Sequence, residues 1–79
     1  MPDWSRPPEF GDLTRHLAEV ETDIGWSEHR IAELRALVAD LRESGHGTAD
    51  AEVLLSEAEL VLGKQRARRD AIVRLIEGQ

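Results

Sequence analysis

A chain of 79 residues with a formal net charge of −6 and no cysteine makes one small domain at most, with neither disulfides nor thiolate ligands to brace a thin core. The acidic balance argues against generic binding to nucleic acid or to an anionic membrane, and no stretch approaches the roughly 20 apolar residues of a membrane span. With no cysteine and no apolar run of the signal-peptide kind near Met1, the expected compartment is the cytoplasm.

Residues 1–9 carry three prolines and no periodicity, which predicts a flexible tail, with Trp4 as a short recognition element or a cover for the open end of the fold. From Phe10 onward the apolar residues recur at alternating spacings of three and four: Leu13, Leu17, Val20, Ile24, Ile31, Leu34, Val38 and Leu41, with Ser27 the one polar member of the series. That spacing predicts a coiled-coil-type helix over about residues 10–44. At 1.5 Å per residue it would be roughly 45 to 50 Å long.

The series breaks at Ser44-Gly45-His46-Gly47-Thr48. Gly45 is suited to a left-handed helix cap, 45–47 to the turn, and Thr48 to the N-cap of a second helix over about 48–77, with Asp50 and Glu52 in its first turn where the helix dipole favours negative charge. Two amphipathic helices joined by so short a break must fold back on each other. The predicted fold over residues 10–78 is therefore all-α, an antiparallel two-helix hairpin of coiled-coil type.

Helix 2 has a wide apolar stripe containing Ala51, Leu54, Leu55, Ala58, Val61, Leu62, Ile72, Leu75 and Ile76. With the turn centred on His46, facing residues pair Leu41 with Ala51, Val38 with Leu54, Leu34 with Ala58, Ile31 with Val61, Val20 with Ile72 and Leu17 with Leu75. Ile24 completes the helix 1 seam between them. The same register sets Ser27 against Gln65, a polar layer at mid-bundle if the two satisfy each other, or a small residue making room for Trp26 if they do not.

Charge is uneven along the arms. The acids of helix 1 between Glu9 and Glu28 lie beside the bases of late helix 2, and Glu21 or Asp23 with Arg68 or Arg69 are the expected cross-helix pairs. Gly25 and Gly63 sit inside helices; Gly25 is expected to permit close packing near Trp26.

A single seam leaves apolar surface uncovered. Trp26 and Leu37 flank the helix 1 seam, and Ala49, Val53, Leu60, Ala67 and Ala71 form a second stripe on helix 2. Because ordering costs roughly 1.5 kcal/mol per residue against burial worth about 25 cal/mol per Å², an isolated hairpin comes out near zero. Trp26, Leu37, Val53, Leu60 and Ala67 are thus candidates for an association surface, with a homodimeric four-helix bundle the expected product and an unidentified protein the other possible occupant.

The cations Lys64, Arg66, Arg68, Arg69 and Arg74 offer an alternative function, a small regulator that binds nucleic acid through a basic face of helix 2. No aromatic residue is interleaved among them for stacking, which weighs against it. His16, His29 and His46 are dispersed without a helical metal-binding spacing, and the chain holds no nucleophile elbow, phosphate-cradling loop or dinucleotide fingerprint. No catalytic residue, metal or cofactor is expected. The function predicted is a non-enzymatic protein–protein interaction or scaffold module.

The stretch from Ser44 to Leu55 and the later Arg69-Asp70-Ala71-Ile72 resemble short bacterial helical-hairpin proteins, which share a glycine-containing break, a threonine cap, an alanine-rich start to helix 2 and a late arginine. The resemblance covers about the last half of the chain and implies a bacterial source. It implies no activity and no functional residues.

Overall fold

A computed structural model describes residues 10–78, as two helices: α1, Phe10–Glu43, and α2, Ala49–Glu77. The tail and Trp4 lie outside the described residues. No proline falls within either helix, and acids near their starts (Asp12; Asp50 and Glu52) and bases in their last turns (Arg42; Arg74) complement both helix dipoles.

The turn is built by a Schellman cap. The His46 amide donates to the Leu41 carbonyl at 2.9 Å, and the Gly45 amide to that of Arg42 at 3.1 Å, with Gly45 at φ +73°. A side chain at Gly45 would meet the steric cost of the left-handed region, so glycine is required there by the backbone. Thr48 occupies the N-cap position of α2 but makes no side-chain cap bond; its carbonyl accepts from the Glu52 amide at 2.9 Å. The hydroxyl contribution expected of it is missing.

The arms pack along one seam. Val20, Ile24, Ile31 and Leu34 of α1 and Ala58, Leu62 and Ile72 of α2 form its buried centre, with Leu17, Leu55 and Ile76 packed against it. Val38 and Ala51 are also buried, and Leu41 is half-buried near the turn. On α1 the seam is the series read from the sequence. On α2 it is not: Leu54, Val61 and Leu75 are 43, 49 and 54% exposed. Their neighbours Leu55, Leu62 and Ile76 take the inward positions while Ala51, Ala58, Gln65 and Ile72 face inward as expected, so only the alternate seam positions of α2 shift by one residue.

The physical reason lies in the doublets Leu54-Leu55, Val61-Leu62 and Leu75-Ile76. Either member of each continues the three-and-four spacing through Ala51, Ala58, Gln65 and Ile72, so apolarity alone does not choose between them. The charges beside the seam do choose. With Leu55 and Leu62 inward, Glu52, Glu59 and Arg66 lie alongside α1 opposite Arg42, Arg35 and Glu28. Every one of these juxtapositions is attractive, and all three form ion pairs, at 2.7, 3.5 and 3.9 Å.

Gly25 and Gly63 face open space, with nothing within 4 Å of an added Cβ. Neither permits a close helix approach, which corrects the role expected of Gly25.

Candidate association surface

The seam divides the hairpin into two unlike sides. One is sealed by the three cross-helix ion pairs, whose side chains are 47–66% exposed; each contributes roughly 0 to 1 kcal/mol, and together they fix which side of α2 meets α1. A shallow polar groove on this side runs past Glu28, Arg35, Glu59 and Arg66 over the edges of Ile31 and Leu62.

The opposite side is open and mixes exposed apolar residues with charges. Residues seven apart share a helix face when the seam repeats every seven, so Leu54, Val61, Arg68 and Leu75 line up along α2 and Asp23, Arg30 and Leu37 along α1, with Trp26 one turn from Arg30. Trp26 is 69% and Leu37 44% exposed. Between the arms a groove of about 240 Å³ is lined by Ser27, Arg30, Leu54, Glu57, Ala58 and Val61. The indole of Trp26 meets the His29 ring edge-on at 6.5 Å, and His29 in turn contacts Glu33, which leaves the indole exposed.

The five residues proposed from the sequence as an association surface therefore divide. Trp26 and Leu37 lie on the open side, where Leu54, Val61 and Leu75 join them. Val53, Leu60 and Ala67, spaced by seven, lie on the back of α2, with Val53 56% and Leu60 67% exposed. Asp50, Glu57 and Lys64 run between these two rows. The signal missed in the sequence was the choice within each doublet: the members excluded from the seam are the apolar surface.

Gln65 sits opposite Ser27 at the middle of the seam, and the Ser27 hydroxyl donates to its Oε1 at 2.6 Å. This is the polar layer, and it fixes the register of the two arms. Among the described residues no buried side-chain polar atom lacks a partner.

The basic residues do not form a face. Arg66 lies on the sealed side, paired with Glu28; Arg69 turns toward the seam and pairs with its neighbour Asp70 at 3.3 Å; Arg68 lies on the open side, and Arg74 continues the row of Val53, Leu60 and Ala67 on the back. Lys64 lies between the open side and the back. The five cations thus encircle α2. Among the described residues Glu21, Asp23 and Arg68 make no ion pair, so the cross-helix pairs expected at that level are replaced by those nearer the turn.

Among the described residues no helix is long and apolar enough to cross a membrane, and no three His, Asp or Glu side chains gather in the way that would hold a metal ion. His16 approaches Glu19 at 3.7 Å on one exposed turn of α1. In comparisons with family models, curated proteins and solved structures, no match to this chain was found.

Proposed function

We propose that the hairpin is a non-enzymatic interaction or scaffold module of a reducing compartment such as the cytoplasm, acting by self-association, a second copy covering its open side to complete a four-helix bundle. The observation that supports this reading is the distribution of exposed apolar residues. Trp26, Leu37, Leu54, Val61 and Leu75 line the open side, and among the described residues none of the large exposed apolar residues lies on the ion-paired side. Exposed apolar residues gathered on one side among charges are the pattern of an interaction site.

The test is molar mass by light scattering across a hundredfold concentration series. The chain is 8.9 kDa, so a species near twice that mass, dissociating on dilution, is the expected result. A monomer at every concentration would remove self-association from the function.

A further inference from the structure

We propose that residues 1–9 turn back over the open end of the hairpin and lay the indole of Trp4 on Leu13, closing the seam where α2 runs out. Leu13 carries the inference. In the register that sets Ser27 against Gln65, the position facing Leu13 across the seam is residue 79, beyond the end of α2 at Glu77. Ile76, the last inward residue of α2, is itself half-buried. Leu13 is nonetheless 4% exposed, as little as Val20, which has Ile72 across from it.

Neighbours along α1 do not account for this equality, since Leu13 stands between Phe10 and Leu17 in the seam series as Val20 stands between Leu17 and Ile24. The two ends of the seam also behave differently. Toward the turn, exposure rises outward from buried Val38 to half-buried Leu41, although Ala51 lies across from Leu41. Toward the open end it rises from Val20 to half-buried Leu17 and then falls again at Leu13. A cover from outside the two helices is required, and the chain offers residues 1–9 or Gln79.

Residues 1–9 suit an apolar roof. They include Met1, Trp4 and three prolines, whereas Gln79 would set a polar amide on the leucine. Reach and direction agree with this choice. Leu13 lies about 4.5 Å along α1 from Phe10 at 1.5 Å per residue, and the six residues from Trp4 to Phe10 span up to about 20 Å when extended. With Phe10 the first helical residue, Pro8 and Leu13 hold the two positions of a hydrophobic staple, the contact that fixes the angle at which a chain enters a helix. That contact directs residues 1–9 toward the seam face of α1. Leu75, on the open side, is 54% exposed and lies off this path, so Trp4 closes the end of the hairpin and leaves the surface around Trp26 free.

The experiment is acrylamide quenching of Trp4 fluorescence in the full chain carrying Trp26→Phe, which leaves Trp4 as the single indole. The folded protein should be quenched about threefold less than the same protein unfolded in guanidinium, with its emission shifted to the blue. This protection should persist over about a hundredfold dilution, as a contact within one chain must. Adding Leu13→Ala should raise quenching toward the unfolded value while the helical signal by circular dichroism is retained. An indole quenched as freely in the folded protein as in the unfolded one would overturn the proposal and leave Gln79 as the cover. Protection lost on dilution would assign the roof to a second copy, and protection indifferent to Leu13→Ala would place Trp4 elsewhere; either result would overturn it equally.

Discussion

The Ser27 hydroxyl and the Gln65 amide form a polar crossing at the middle of a mostly apolar seam. Removing either partner leaves the other half-buried without its bond, so Ser27→Ala or Gln65→Ala should each cost about 1 kcal/mol or more. A double-mutant cycle read by urea denaturation should return a coupling of about 1 kcal/mol; purely additive losses would mean that the bond contributes nothing to folding. Replacing both residues by leucine should raise stability while removing the residue pair that fixes register. Leu34 is the opposite case. It is only 8% exposed at the seam, and Leu34→Asp should abolish the cooperative unfolding transition, since an unpaired carboxylate there has nothing to compensate its desolvation. Gly25→Ala and Gly63→Ala face open space within helices, and each should raise stability by roughly 0.5 to 1 kcal/mol in the same denaturation measurement.

The two helices differ in how far their sequence specifies which residues turn inward. In α1 every apolar inward residue except Val38, which Leu37 precedes, lacks a large apolar neighbour, so the three-and-four spacing leaves little choice, and Leu17 through Leu41 could be read directly. Ser27 and Gln65 were readable as a pair because each interrupts an apolar series at the same distance from the turn. In α2 the doublets give two solutions one residue apart, and apolar spacing without charge does not choose between them. The deciding term is long-range: Glu52, Glu59 and Arg66 acquire meaning only when set beside Arg42, Arg35 and Glu28 on the other arm. The alternative facing would bring Leu55 and Leu62 to the flank and separate those charges. Val61→Asp and Leu62→Asp distinguish the two facings. With Val61 on the open side and Leu62 in the seam, the first should remain helical by circular dichroism while losing association, and the second should unfold. The reverse outcome would restore the sequence-based facing of α2.

At the scale of the whole molecule the fold is a thin layer with one covered seam. Its outer surface is asymmetric in chemistry: a side sealed by three ion pairs, an apolar side around Trp26, and a back on which Val53 and Leu60 stand between charges. Among the described residues the side around Trp26 carries the most large exposed apolar residues, interrupted at Asp23, Arg30 and Arg68. Trp26→Ala should therefore weaken self-association by tenfold or more while changing the helical signal of the associated form little; unchanged association would remove Trp26 from the interface. Because a second copy would cover the surface that the seam cannot, folding and association should be thermodynamically linked. The decisive measurement is the thermal midpoint of the helical signal as a function of protein concentration. A midpoint that rises by several degrees over a hundredfold increase is the result expected of a hairpin completed by its own copy, and a midpoint independent of concentration would contradict it.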